Sequence, residues 1–402
     1  MEEKKNVPSS QEIDFCTLGM FIIDEIHYLP PKPPVYDILG GAGSYAALGA
    51  RIFSPPPQSR SISWIIDKGS DFPEDLLNQV NSWETSCVIR STPDRLTTRG
   101  WNGYDSNENR AFKYATPKLR LDATSLTETL LRSKSFHLIC NPTRCIDLVT
   151  SILQRRKAID RNAEKPLFIW EPVPDLMTPD ELLNTTNALP YVDICSPNHS
   201  ELASLMGDLG EGIDKKTGSV DTAFVEGACE QLLGSMPLHS YALVIRCGGA
   251  GCYIAKNGGR TRRPSIIKRK RPAIHMRGGL TPDIDMVALF EGLMDGEGSF
   301  EREEPVIDRG IEMWLPPYHT NEKKVVDPTG GGNSFLGGMA VALARGKRLE
   351  EAAGWGNIAA SFAIEQVGMP TLGVDKEGNE TWNGVKVDDR LQEYREMVKN
   401  EK

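Results

Sequence analysis

The chain of 402 residues is long enough to bury a large core, either as one large α/β domain or as two ordinary domains. Its 46 basic and 55 acidic residues give a net charge of −9, which argues against a global attraction to nucleic acid or to anionic membranes. No apolar run approaches the roughly 20 residues that a membrane span needs, so we expect a soluble protein of the cytoplasm, with the nucleus as the alternative compartment.

Apolar runs typical of fully buried strands alternate with amphipathic stretches along the chain. The runs, in chain order, are FCTLGMFII, SISWII, SFHLIC, PLFIW, YVDIC and YALVIRC. The helices predicted around them span 44–52, 73–83, 143–157, 178–188, 198–206, 220–234, 330–344 and 349–365. This alternation predicts a mostly parallel sheet with helices on both faces. The eight cysteines lie in apolar segments without paired spacing, so we expect buried, reduced thiols and no structural zinc site.

Four segments lie outside this alternation. Residues 24–40 and 88–116 contain short alternating segments broken by Pro and Gly, which predicts a small β-rich lid outside the main sheet. Residues 257–323 are rich in Arg, Lys, Gly and Pro and too long for an ordinary loop, so we expect an insertion. Residues 384–402 predict a charged C-terminal helix or tail.

The segment VVDPTGGGNSFLGGMAVALA, residues 325–344, carries the strongest functional signal. Asp327 and Pro328 end a strand-like stretch, and three glycines allow a tight turn before a helix of small residues. A glycine-rich turn at a helix N-terminus presents unpaired N–H groups to an anion, so the pattern predicts a phosphate site. The alternative is a glycine turn that serves only close helix packing.

This segment resembles the C-terminal signature D-T-x-G-A-G-D-x-F of the PfkB family of carbohydrate kinases. Further family motifs follow in the same order over most of the chain, and GGAGSYAALGARIFSPPP with DPTGGGNSFLGG is most similar to the fungal branch related to the yeast "maintenance of killer" protein. The resemblance implies an α/β, ribokinase-like sandwich over residues 12–383, with a mostly parallel central sheet flanked by helices and the small β-rich lid.

The resemblance also implies a set of site residues and two cofactors, ATP and Mg²⁺. Substrate hydroxyls would be bound by Asp24, Gly40 and Gly41, with Tyr45 where the family usually has Asn. The nucleotide would be bound by Asn198, Glu201, Gly248, Gly251 and Asn357. Asn198 and Glu201 would also organise Mg²⁺, the latter through water. Gly330, Gly331 and Gly332 would cradle developing phosphate charge, and Asn333 stands where the family has its catalytic Asp.

Asn333 leaves the activity open, because an amide cannot accept a proton at neutral pH. One hypothesis is an ATP-dependent kinase acting on a small sugar, polyol or nucleoside, with at most slow transfer. Another is a non-catalytic pseudokinase that binds a partner protein when its ligand is present. A third uses the basic run Arg260 to Arg277 for nucleic acid, but we favour a solvated loop because no aromatic residues interleave with it. The lid strands could face solvent or pair with a second copy in a homodimer.

Overall fold

The computed structural model describes residues 12–104, 110–261 and 306–400. Its strands, in chain order, are β1 Phe15–Thr17, β2 Ile22–His27, β3 Val35–Gly40, β4 Ile62–Lys68, β5 Ser86–Ser91, β6 Arg99–Tyr104, β7 Arg110–Tyr114, β8 Ser135–Cys140, β9 Leu167–Pro172, β10 Ile194–Cys195, β11 Ala242–Arg246, β12 Cys252–Lys256, β13 Gly259–Thr261, β14 Val306–Asp308, β15 Ile311–Leu315, β16 Leu372–Val374 and β17 Glu380–Trp382.

A nine-stranded sheet is the centre of the described structure. Its strand order is β15, β12, β11, β10, β9, β8, β1, β4, β5. The strands from β11 to β5 in this order are parallel, and β12 is antiparallel to β11. The central strands are buried on both faces, which explains their unbroken apolar sequences. The predicted α/β, mostly parallel fold class is confirmed.

Helices cover this sheet, and all except the short helix Glu128–Leu131, which was not predicted, lie close to the predicted positions. They are α1 Ala42–Ile52, α2 Glu74–Ser82, α3 Glu128–Leu131, α4 Pro142–Ile159, α5 Leu182–Ala188, α6 His199–Leu205, α7 Thr222–Ser235, α8 Gly331–Ala344, α9 Leu349–Ala363 and α10 Val387–Asn400. The small side chains of α8 let it pack closely against α1 and α9. In the part of the chain that the structure describes, none of the helices combines the length and apolarity that crossing a membrane requires.

A four-stranded sheet, in the order β3, β2, β6, β7, lies outside the main sheet. Strands β2 and β6 are parallel, whereas the β2–β3 and β6–β7 pairs are antiparallel. The predicted lid segment 88–116 therefore begins too early, because Ser86–Ser91 pairs with β4 in the nine-stranded sheet. The edge strand β5 is half exposed, which gives it the same alternating pattern as a lid strand.

The chain divides into two compact units, and the smaller, Asn257–Ile311, corresponds to most of the predicted insertion. Its described part contains an antiparallel pair in which Gly259 faces Asp308 and Thr261 faces Val306. The predicted insertion extends too far, because residues from Glu312 onward belong to the larger unit. Of the basic run, Arg260 is on β13, and the rest, from Arg262 to Arg277, is outside the described residues.

The C-terminal helix α10 is part of the larger unit and is amphipathic as well as charged. Leu391 and Tyr394 are buried, and the Arg390 guanidinium lies 3.7 Å from the Phe362 ring centroid. Of the predicted charged helix or tail over 384–402, the structure shows the helix, and this helix packs one face onto α9. The cysteines agree with expectation: all eight are free thiols, and all but the half-buried Cys87 are buried.

A candidate phosphate site at the end of the central sheet

The glycine turn that precedes α8 has a backbone that favours glycine. Gly330 caps the helix with φ 79° in the left-handed region. A Cβ atom built on it would lie 2.1 Å from the ring of Tyr45, so the aromatic ring packs directly on this glycine. Asp327 fixes the entry to the turn by accepting a hydrogen bond from the Thr329 N–H at 2.9 Å. The turn is therefore shaped by its own side chains and by α1.

In the described structure, the first turn of α8 has two backbone N–H groups that are free to bind a ligand, those of Gly332 and Asn333. The N–H of Gly331 donates to Pro328 O at 3.2 Å, and that of Ser334 donates to Gly330 O at 2.9 Å. Among the described residues, the N–H groups of Gly332 and Asn333 between them have no hydrogen-bond acceptor. Two adjacent free donors at the positive end of a helix dipole form a cradle for an anion.

The guanidinium of Arg246 lies at this cradle. Arg246 ends β11, and a Cβ atom built on Gly332 would lie 2.1 Å from its Nη1, so the guanidinium fills space that only a glycine leaves open. Its Nη2 donates to Ser196 O at 2.9 Å. Its Nε is buried and has no hydrogen-bond partner in the described structure. A cation thus stands beside the two free N–H groups.

Two buried carboxylates hold this arginine. Nη1 lies 2.9 Å from Oε1 of Glu171, and Nη2 lies 3.5 Å from Oε2 of Glu201. Burial raises the pKa of the Glu171 carboxyl, but the Arg246 charge and the His137 ring outweigh it, so the pKa lies below its usual range. For Glu201 burial prevails, and its pKa is raised even though Arg246 opposes the shift. Glu171 is therefore the main charge partner of Arg246.

Asn333 contacts the same cluster. Its Nδ2 donates to Oε2 of Glu171 at 2.5 Å. The same oxygen lies 3.2 Å from Nε2 of the fully buried His137, whose Nδ1 lies 2.9 Å from Thr17 Oγ1. Thr17, His137 and Glu171 are on the adjacent parallel strands β1, β8 and β9, so the sheet places their three side chains in a row. The row leads from the core to the first turn of α8.

Our sequence reasoning missed Glu171, Arg246 and His137. A signal was present for the first two, since each is a charged residue at the end of an apolar strand, in FIWE and LVIR. Ligand sites in open parallel sheets lie beyond the carboxyl ends of the strands, where these two residues are. His137, within SFHLIC, has no such mark and looks like an ordinary core residue.

The predicted metal residues Asn198 and Glu201 form a capping box at the start of α6. Asn198 Oδ1 accepts from the Glu201 N–H, and Glu201 Oε2 accepts from the Asn198 N–H, both at 2.7 Å. Glu201 Oε1 also accepts from Asn198 Nδ2 at 2.9 Å. Among the described residues, no group of three or more His, Cys, Asp or Glu side chains could hold a metal ion. Both Glu201 oxygens are thus engaged by the protein.

The predicted substrate residues lie where the four-stranded sheet meets α1. Asp24 on β2 is buried against Gly40, since a Cβ atom built there would lie 1.9 Å from Oδ2. Burial raises the pKa of Tyr114, and the negative charges of Asp24 and Asp175 raise it further, which places all three in one region. Gly41, with φ 88°, then caps the N-terminus of α1.

Helix α1 connects this region to the glycine turn before α8. Tyr45 lies one turn into the helix, its ring packs on Gly330, and its carbonyl oxygen accepts from Ser334 Oγ at 3.2 Å. The structure therefore brings Tyr45 to the glycine turn as well as to the first turn of α1. Because Gly41 caps α1 and the Tyr45 ring of the same helix packs on Gly330, α1 fixes the distance between the Asp24 region and the glycine turn.

The remaining predicted nucleotide residues lie further along the sheet. Gly248 starts a short 3₁₀ turn after β11, and Gly251 follows it with φ 80° and approaches Leu315 O. Asn357 on α9 is buried, and its Nδ2 donates to Pro316 O at 3.0 Å and to Tyr394 Oη at 2.7 Å. These contacts join α9 to α10, and they engage the Asn357 amide within the protein.

The chain is similar to known proteins over nearly its whole length. The family model described as "pfkB family carbohydrate kinase" matches residues 315–375. A Schizosaccharomyces pombe protein is 33% identical over 393 residues, covering 97% of this chain and 94% of that protein. Protein MAK32 of Saccharomyces cerevisiae is 32% identical over 389 residues, covering 94% of this chain and 91% of its own.

Solved structures show the same fold at low sequence identity. The structure of a putative Ribokinase II from E. coli in complex with ATP and Mg²⁺ has a TM-score of 0.57 and 14% identity. The match covers 96% of this chain and 99% of that one. The fold of the chain, with its central sheet and flanking helices, is therefore ribokinase-like.

Proposed function

Because this chain belongs to the PfkB family of carbohydrate kinases, in the fungal branch that includes Protein MAK32, we propose that it binds the phosphates of ATP at the turn before α8. We further propose at most slow phosphoryl transfer to a small sugar, polyol or nucleoside. The observation that carries this proposal is the convergence of the free N–H groups of Gly332 and Asn333 with the guanidinium of Arg246.

The donors at the turn fit a phosphate group in number and charge. Two backbone N–H groups and a guanidinium can donate hydrogen bonds to three phosphate oxygens. Arg246 has five N–H donors in a planar fork, and its Nε still lacks a partner in the described structure. The putative Ribokinase II from E. coli, which has the same fold, was solved in complex with ATP and Mg²⁺.

An acceptor hydroxyl would be bound at Asp24. Its carboxylate can accept hydrogen bonds from a polyhydroxyl compound, and Gly40 and Gly100 leave the carboxylate room because neither has a side chain that could stand beside it. The four-stranded sheet would cover such a ligand as a lid. Because α1 runs from this region to Gly330, the acceptor and the transferred phosphate would approach each other along that helix.

Transfer would be slow because position 333 lacks a carboxylate. General-base assistance typically contributes about 10²- to 10⁴-fold to a rate, and the Asn333 amide cannot supply it. Phosphate binding and positioning do not need a base, so binding would survive while turnover falls.

The second candidate function is that of a pseudokinase, whose nucleotide-bound form binds a partner protein without catalysis. A specific contact favours it: the Asn333 amide donates to Glu171 and is therefore held by the protein's own carboxylate. An Asn in this contact stabilises the fold of the site, and it has no role in proton transfer.

Calorimetric titration of ATP, in buffer containing Mg²⁺, tests the shared part of both candidates. We expect saturable heat, and ATP at 100 times its dissociation constant should add about 2.7 kcal/mol to the free energy of unfolding. The absence of heat with any nucleotide at millimolar concentration would contradict the proposal. Single-turnover transfer from labelled ATP over a panel of sugars, polyols and nucleosides then separates slow kinase from pseudokinase.

A further inference from the structure

We infer that Arg246 takes the place of the magnesium ion at this site, so that the protein binds metal-free nucleotide as well as it binds the magnesium complex. The inference rests on the proposed nucleotide site and concerns how that site neutralises phosphate charge. It departs from what family resemblance implies for Asn198 and Glu201.

The carboxylates near the turn do not fit a magnesium site. Mg²⁺ requires oxygen ligands in near-ideal octahedral geometry, and carboxylates are its usual protein ligands. Glu171 already uses Oε1 for Arg246 and Oε2 for Asn333 and His137. Glu201 uses both oxygens for Asn198, and Oε2 also lies 3.5 Å from Arg246. A metal would have to displace these partners.

A metal would also have to share the site with an existing cation. The Arg246 guanidinium stands between Glu171 and Glu201, and its side chain is only 11% exposed. A divalent cation bound to either carboxylate would face this charge at short range in a site with little water to screen it. Repulsion therefore disfavours the presence of both cations, unless Arg246 leaves its two partners.

Arg246 itself is well placed to replace the metal. Its Nη1 is at the vacant Cβ position of Gly332, next to the two free N–H groups, and its Nε has no partner among the described residues. A guanidinium binds phosphate oxygens through paired, charge-assisted hydrogen bonds. Glu171 and Glu201 fix its orientation before any ligand arrives, so little side-chain entropy is lost on binding. The site thus has a built-in guanidinium, held in place by its carboxylate partners, that can donate to phosphate oxygens.

The decisive experiment is calorimetry on the full-length wild-type protein, with ATP titrated in excess EDTA and, separately, in millimolar MgCl₂. We expect the two dissociation constants to agree within about threefold. Binding weaker by about tenfold or more in EDTA would overturn the inference and leave the proposed nucleotide site standing. The absence of binding in both buffers would overturn the proposed site and this inference together.

A variant of Arg246 tests whether this side chain is needed to bind ATP in the absence of a metal ion. Arg246→Gln should weaken binding of ATP in EDTA by about tenfold or more, the effect of losing hydrogen bonds to a charged group. Arg348→Gln is the matched control, because that side chain is 84% exposed and pairs only with Glu350 within the described structure. Unchanged affinity in Arg246→Gln would overturn the inference. Should this variant fail to fold, the wild-type comparison in EDTA and MgCl₂ decides alone.

Discussion

Asn333 and Glu171 form a pair whose chemistry depends on one member being an amide. Asn333 Nδ2 donates to Glu171 Oε2 at 2.5 Å, and the carboxylate is buried. A carboxylate at position 333 would put two acids within hydrogen-bond distance, and repulsion between two negative charges would make such a pair retain one shared proton and carry a single negative charge. An amide at position 333 therefore lets Glu171 stay ionised, because the amide donates a hydrogen bond and adds no charge.

We therefore predict that Asn333→Asp alone destabilises the protein as the pH rises. The carboxyl pair would have one pKa raised in the folded state above its unfolded value, so the folded protein would hold a proton that the unfolded chain releases. Stability is then retained at low pH and lost as the pH rises through the raised pKa. Urea unfolding should show a loss of about 1 to 3 kcal/mol at pH 8 relative to pH 5, after subtraction of the wild-type difference.

The double variant Asn333→Asp/Glu171→Gln is the control, since it moves the carboxylate to position 333 and the amide to 171. It should remove the added pH dependence and, with a suitable acceptor, raise single-turnover transfer by about 10²- to 10⁴-fold. A single variant with the same pH profile as wild type would contradict the pairing of residues 171 and 333.

For single residues, the sequence predicts which positions belong to the candidate site, but it does not predict which side chains contact each other there. The motifs predict Gly330 to Asn333 and Asp24 as site residues, because each motif is a run of neighbouring residues that can be read from the sequence alone. The contact between Asn333 and Glu171 joins two elements that are far apart in sequence, and it depends on which strands are neighbours in the sheet. Apolar periodicity predicts that strands exist, but it does not give their order, so Glu171 and Arg246 could not be assigned to the turn.

At the scale of elements, the turn before α8 combines two constraints on Gly330. Its φ of 79° is unfavourable for residues with a side chain, and the Tyr45 ring occupies the space that a Cβ atom would need. Gly346 has a similar φ of 76°, but a Cβ atom built there would meet nothing within 4 Å. Comparing the two glycines therefore separates the cost of the backbone conformation from the cost of the contact with Tyr45.

We predict that Gly346→Ala lowers the free energy of unfolding by about 1 to 2 kcal/mol, the usual cost of a left-handed backbone for alanine. Gly330→Ala should cost more, because the ring of Tyr45 must also shift or the turn must open. Urea unfolding of both variants measures the difference, and Gly330→Ala/Tyr45→Ala should lose less than the sum of its single changes. Equal costs at the two glycines would contradict the tight contact between α1 and the turn.

The helices were predictable as elements because their N-termini carry local signals. Asn198 and Asp221 accept hydrogen bonds from the first turns of α6 and α7, and such capping is visible in sequence. Strand β5 was assigned to the lid because an edge strand with one exposed face alternates like a lid strand. The charged sequence of α10 predicts a helix or a tail, and the few residues that bury its inner face, including Leu391 and Tyr394, are outnumbered by its charges.

At the scale of the whole molecule, the candidate site belongs entirely to the larger unit. Asp24, Glu171, Arg246 and Asn333 all lie outside Asn257–Ile311. In the smaller unit, β13 and β14 are antiparallel neighbours, and Thr261 faces Val306. The two chain ends that flank residues 262–305 are therefore close enough to be joined by a tight hairpin turn.

We predict that replacing residues 262–305 by the dipeptide Asn-Gly leaves a folded protein whose affinity for ATP is within about twofold of wild type. The dipeptide favours the turn that joins two antiparallel strands, and the proposed phosphate donors at Gly332, Asn333 and Arg246 are unchanged. A second variant keeps the full length and changes the Arg and Lys residues of 262–277 to Ser, which separates the loss of charge from the loss of chain. Calorimetry with ATP measures both. A tenfold loss in both variants would show that the basic run contributes to the phosphate site, whereas a loss in the shortened protein alone would assign the contribution to other residues of the segment.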